Sequence, residues 1–185
     1  MRYGYVALGS NLSRATGTSR EICNEALGLF LAAGLRITQR SSWYSAPAFP
    51  SGSGPDYVNG VVKIETGLTA PEALFALHAI ESQLGRTRPH RWASRIIDLD
   101  LLAFDAVILP DRAGFERWAS LPLSAQMEAA PDELILPHPR MQDRAFVLVP
   151  LAEIAPNWMH PVFRKTAAEM CADLPSEAVA GILPL

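Results

Sequence analysis

Thr69-Ala-Pro-Glu-Ala-Leu-Phe-Ala-Leu-His-Ala-Ile-Glu-Ser-Gln-Leu-Gly85 is followed, after an arginine-rich stretch, by Ile96-Ile-Asp-Leu-Asp-Leu-Leu-Ala-Phe104. The first segment reads as a helix. Thr69 and Glu72 form a capping box, Leu74, Leu77, Ile80 and Leu84 recur at helical spacing, and Gly85 supplies the stop. The second reads as a strand over Ile96–Phe104, where alternation puts Asp98 and Asp100 on one face and Ile97, Leu99 and Leu101 on the other. Working outward toward the N-terminus, Tyr57–Glu65 reads as a strand, Ala46–Pro55 as a Pro/Gly/Ser loop and Leu35–Tyr44 as another strand. Before these, Thr18-Ser-Arg-Glu21 opens a helix with Ile22, Ala26, Leu29, Phe30 and Ala33 on one side and Gly34 at its end. Tyr3–Leu8 is the first strand, closed by the turn signal Gly9-Ser10-Asn11.

The order is therefore β-α-β-β-α-β. It predicts an α+β fold with a ferredoxin-like core, in which an antiparallel-rich sheet carries both helices on one face. Downstream, Asp111–Asp132 is polar and proline-containing without a clean period, and residues 111–132 read as a surface insertion. Arg144–Ile154 has helical spacing but contains Pro150, which predicts a short or bent helix. Thr166–Leu174 reads as a last amphipathic helix.

The chain has 185 residues, which fits a single domain over 1–185, and 49% of them are apolar, enough for a sizeable core. A formal charge of −3 argues against a protein that coats nucleic acid. No apolar run approaches a membrane span, and the N-terminal apolar stretch is too short for a signal peptide. Two cysteines, Cys23 and Cys171, are not in metal-type spacing. Together these predict a cytoplasmic protein with reduced thiols; a monomer is the expectation, though nothing in these features sets the oligomeric state. Basic residues are 14 arginines and 2 lysines; genomic base composition accounts for the ratio, so position has to make the functional case.

Position does so around residues 86–100. Two carboxylates on one strand face repel unless a cation sits between them, and hard oxygen donors suit Mg²⁺ completed by phosphate oxygens. Arg86, Arg88, Arg91 and Arg95 directly precede them with no acid in between. Paired acids beside an arginine cluster are what phosphoryl transfer requires. The bland alternative is a solvated basic loop next to an exposed strand. Glycine-loop phosphate cradles are absent, so a nucleotide here would be held by side chains and metal. Tyr57 and Asn59 share a strand face and could stack on and read a flat heterocycle. Pro137-His138-Pro139-Arg140 holds a histidine in an extended turn.

Several of these stretches match one family. Ala7–Leu12, Ser42–Pro47, Pro55–Asn59, Ile80–Arg86, Arg91-Trp92, Arg95–Asp100, Leu136–Pro139, Asp143–Phe146 and Pro150–Pro156 occur in its order, so the chain resembles the 6-hydroxymethyl-7,8-dihydropterin pyrophosphokinases of folate biosynthesis. That resemblance implies transfer of pyrophosphate from ATP to a pterin alcohol. It implies that Asp98 and Asp100 hold two Mg²⁺ ions and that Arg86 and Arg95 engage phosphate charge. Glu81, Arg88, Arg91, Trp92, His138 and Arg144 would lie on the ATP side. Ala46, Pro47, Phe49, Tyr57, Asn59, Trp92 and Phe146 would surround the pterin, with Tyr57 and Phe146 sandwiching it. Partners would be the two small-molecule substrates, with no nucleic acid or membrane. The alternative from another class is a ferredoxin-like nucleic-acid-binding module using the Arg86–Arg95 loop.

Overall fold

Both N-terminal helices begin where side chains satisfy the free amides of the first turn. Glu21 Oε2 accepts the Thr18 N–H at 2.7 Å and Glu72 Oε2 accepts that of Thr69 at 2.7 Å. The computed structural model of the chain describes residues 1–11, 17–48, 54–85, 96–122, 125 and 131–185. In order, the elements are β1 (Arg2–Ser10), α1 (Ser19–Phe30), β2 (Leu35–Arg40), β3 (Tyr44–Ala46), β4 (Tyr57–Thr66), α2 (Ala70–Gln83), β5 (Asp98–Phe104) and α3 (Arg112–Ala119). A 3₁₀ turn (Met141–Asp143) then leads into α4 (Ala145–Ile154), α5 (Ala167–Ala172), α6 (Ser176–Ala180) and β6 (Leu183–Pro184).

The strands form one sheet in the order β5-β1-β4-β3-β6, with β2 pairing the remaining length of β4 on the β3 side. Every pairing is antiparallel. This is the expected α+β, ferredoxin-like arrangement, because each β-α-β unit leaves room for one strand of the other between its own two.

One expected strand is divided. Leu35–Tyr44 breaks after Arg40 because Ser41 replaces a ladder partner with its side chain: its N–H donates to Val61 O at 2.9 Å while its Oγ accepts the Val61 N–H at 2.9 Å. The chain then turns Trp43 down onto Gly60, where even a methyl group would come within 2.7 Å of the indole.

Alternation along the strands separates two cores. Val6, Leu8, Val62, Ile64 and Leu99 pack against Ile22 and Phe30 of α1 and Leu77 and Ile80 of α2. Ala7, Val61 and Leu102 face the other way and pack against Val147, Leu148 and Leu151 of α4 and Met170 of α5. The two helices of the repeat thus share one face as expected, and C-terminal helices cover part of the other. Pro150 lies inside α4. It is buried, so packing offsets the hydrogen bond that proline cannot donate.

The stretch read as a surface insertion begins with a true helix. Asp111 caps α3 through Gly114 N–H at 2.7 Å, and Phe115 is wholly buried with Ile135 and Val162 in a small third core. Among the described residues, no helix is long and apolar enough to cross a membrane.

Candidate active site

Antiparallel register places the acid pair. Asp98 lies opposite Gly9 and Asp100 opposite Ala7 on β1, while Gly9 lies opposite Asn59 on β4 and Asn59 opposite Tyr44 on β3. Directly opposite residues share a face. One row across the sheet therefore reads Asp98, Gly9, Asn59, Tyr44. Ala7, Val61 and Leu102 mark this as the α4 side. Tyr57, two residues from Asn59, points the same way and lies opposite Ala46.

Gly9 matters in that row. A Cβ there would meet Asn59 Oδ1 at 3.0 Å, so glycine leaves a floor of bare backbone between the carboxylates and the amide. With strands about 4.8 Å apart, Asp98 and Asn59 stand about 10 Å from each other across it. Asn59 is buried, and among the described residues its Nδ2 has no hydrogen-bond partner. A buried amide donor left unpaired is costly, which marks it as a group aimed at a ligand.

Helix α4 brings two more expected residues over the same face. Arg144 is its N-cap and reaches Asp100 Oδ2 with Nη1 at 3.6 Å. Its guanidinium also sits 5.7 Å from the centre of the Phe146 ring, and Phe146 is exposed. Asp100 itself remains 34% exposed, so the pair is open on one side.

His138 approaches from the segment that runs along the β5 edge. Its N–H donates to Leu102 O at 2.7 Å, and its Nδ1 accepts the Arg140 N–H at 3.1 Å. The proton of the neutral ring is therefore on Nε2. Burial, then the charges of Arg144 and Arg140, push its pKa down to about 3, against the opposing pull of Asp98. At neutral pH this side chain is a hydrogen-bond donor without charge. Glu81, buried on α2, accepts the Leu99 N–H with Oε1 at 2.7 Å. It anchors β5 between the two aspartates from behind.

Asp98, Asp100, Tyr57 and Asn59 are thus on one sheet face, with Arg144 and Phe146 at the helix start above it, His138 beside Asp98, Ala46 and Pro47 at the β3 edge, and Glu81 beneath. Arg86, Arg88, Arg91, Trp92, Arg95 and Phe49 lie outside the described residues. Two residues gain a role only from the structure. Gly9, read from sequence as a turn signal, is the floor. Arg140, part of the His138 turn, fixes the imidazole by its backbone and adds a second cation beside Arg144.

The family model for 7,8-dihydro-6-hydroxymethylpterin-pyrophosphokinase matches residues 5–156. The chain belongs to this pyrophosphokinase family. The family's members include 2-amino-4-hydroxy-6-hydroxymethyldihydropteridine pyrophosphokinase of Synechocystis, 38% identical over 97% of this chain and 80% of that protein. The Pseudomonas aeruginosa protein of the same name is 36% identical over 95% of this chain and 93% of its own length. Among solved structures, wild-type Plasmodium falciparum HPPK-DHPS superposes with a TM-score of 0.62 at 15% identity. It covers 92% of this chain and 44% of the Plasmodium one, so this chain spans less than half of that polypeptide. At that identity the likeness speaks for the pyrophosphokinase fold alone.

Proposed function

We infer that the chain transfers pyrophosphate from ATP to the hydroxymethyl group of 6-hydroxymethyl-7,8-dihydropterin, releasing AMP, as a step of folate biosynthesis. The observation that carries this reading is the row Asp98–Gly9–Asn59, which sets a metal-type acid pair and an amide donor without a partner among the described residues on opposite sides of a bare backbone floor.

The residues fit Mg²⁺. Asp98 and Asp100 are hard oxygen donors facing the open side of the sheet, and among the described residues no third acid, histidine or cysteine joins them. Phosphate and water oxygens would fill the remaining positions, as Mg²⁺ prefers. We propose that the two carboxylates hold two such ions, which when bound neutralise charge on the ATP phosphates. The protein's own residues do the rest. Arg144 adds positive charge above Asp100, and His138 Nε2–H offers a neutral donor on the ATP side. Tyr57 and Phe146 hold the pterin ring between them, while Asn59 and the Ala46–Pro47 backbone read its polar edge. Arg86, Arg88, Arg91, Arg95 and Trp92 complete the nucleotide side, and Phe49 the pterin side. Catalysis on this reading is alignment and charge stabilisation without a covalent intermediate.

Family membership favours this activity over a nucleic-acid-binding module. Incubating the protein with Mg²⁺, ATP and the pterin alcohol and following AMP and pterin diphosphate by chromatography tests it. Equimolar formation of both is expected. Formation of ADP, or AMP release that does not depend on the pterin, would refute it.

A further inference from the structure

Strand β3 is only three residues long, yet two of them lie opposite the proposed pterin side, Tyr44 opposite Asn59 and Ala46 opposite Tyr57, while Ser45 lies opposite Val58 on the other face. Its outer edge pairs with β6 through just Tyr44 with Pro184 and Ser45 with Leu183. So short a strand, backed on its outer side only by the two-residue β6, is weakly fixed by its ladder. A second attachment comes from Glu153, in the last turn of α4. Its Oε1 accepts the Ser42 N–H at 3.0 Å and the Ser42 hydroxyl at 2.9 Å, and its Oε2 accepts the Ser42 N–H at 2.9 Å and the Tyr44 hydroxyl at 2.9 Å.

The carboxylate is badly placed for its own helix. A negative charge in a last turn opposes the helix dipole, and no basic residue there offsets it. Its value therefore lies in what it holds. Phe146 and Glu153 are two turns apart on the same helix, about 10 Å along its axis. Helix α4 is thus a ruler with Phe146 at one end and the approach to β3 at the other. Burial, and then the hydrogen bond and charge of Glu153, push the Tyr44 hydroxyl up to about 12, so it stays a donor throughout the working pH range.

We propose that Glu153 is a positioning residue that sets the β3 edge against helix α4 and so fixes the width of the pterin side of the site. The proposal rests on the function inferred above. Glu153 is exposed and belongs to none of the three cores, so its removal leaves the fold in place.

The test compares Glu153→Ala, Glu153→Gln and Tyr44→Phe with the wild type, reading KM for pterin and for ATP separately, with Tm alongside. Glu153→Ala raises the pterin KM by about tenfold while changing the ATP KM less than about twofold, as expected when only one substrate's contacts are displaced. Glu153→Gln, which keeps an acceptor oxygen, recovers part of the loss, and Tyr44→Phe shows a smaller rise. Unchanged KM values, or equal rises for both substrates, overturn the proposal. Amide hydrogen exchange provides a readout that needs no activity: in Glu153→Ala, residues 42–46 exchange faster while β1 is unaffected. Should the wild type release no AMP, the inferred function fails by itself, and exchange at the wild-type rate in residues 42–46 of the variant still overturns the tie.

Discussion

Replacing Asp100 with asparagine separates what this side chain does for the fold from what it does for chemistry. The fold loses an ion pair with Arg144 whose N···O distance is 3.6 Å and whose partners are 23% and 34% exposed; at that distance and exposure such a pair contributes at most about 1 kcal/mol. It gains relief from repulsion with Asp98, about 7 Å away along the strand. At an effective dielectric constant between about 20 and 80, that relief amounts to about 0.6–2.4 kcal/mol. The net effect runs from a loss of about 0.4 kcal/mol to a gain of about 2.4 kcal/mol. For a chain of this length each kcal/mol moves Tm by about 2–4 °C, so calorimetry shows a fall of no more than about 2 °C or a rise of up to about 10 °C. Turnover behaves differently. If the carboxylate holds a cation against the phosphates, its loss removes about 4 kcal/mol of transition-state stabilisation, or about a thousandfold in AMP release under saturating substrates. An unchanged Tm with turnover within about tenfold of the wild type would refute the assignment. A collapsed Tm would show instead that Asp100 is structural.

Two further outcomes follow from neighbouring features. Gly9→Ala places a methyl group 3.0 Å from Asn59 Oδ1; the amide must yield, so the pterin KM rises several-fold while ATP binding, measured by calorimetry, is unchanged, and equal loss of both would count against the floor. Acid sensitivity is expected from His160, which is wholly buried, stacks on Phe163 at 4.4 Å between ring centres, and has its pKa pushed down to about 4 by burial. Because the unfolded chain binds this proton near its ordinary pKa of about 6.5 and the folded chain does not, stability is full above that value and falls as pH drops toward 4, by about 2 kcal/mol between pH 7 and pH 5. Denaturant midpoints that stay constant over that interval would refute it.

The helices and most of the strands were readable because their signals are local. Thr18 with Glu21 and Thr69 with Glu72 are capping boxes a few residues long, and alternation in Ile97–Leu101 needs no partner. The break at Ser41 was not readable, since it depends on a serine hydroxyl accepting from Val61 across the sheet. Helix α3 was missed although Asp111 is a good cap and Phe115, Trp118 and Ala119 recur at helical spacing; its polar composition outweighed that signal. For the site, Asp98 and Asp100 stood out by themselves, and Tyr57 and Asn59 shared a face by simple alternation. What no local pattern shows is register. Only the pairing of β1 with both β4 and β5 brings Asn59 across Gly9 to Asp98, and only the return of the chain along the β5 edge brings His138 to the same place. Glu153 stood in a family motif without a role, because its partners are more than a hundred residues away in sequence.

The same strands carry Asp98, Asp100 and Asn59 on one side and Val6, Leu8, Ile64 and Leu99 on the other. A slip of one residue in β5 would drive two aspartates under α1 and α2 and expel Leu99 into water. Misalignment of the reactive groups and loss of the hydrophobic interior are thus the same error, so a molecule stable enough to accumulate has its acids facing outward as well. Selection for solubility and persistence in this family therefore screens for correct assembly of the chemistry at no separate cost.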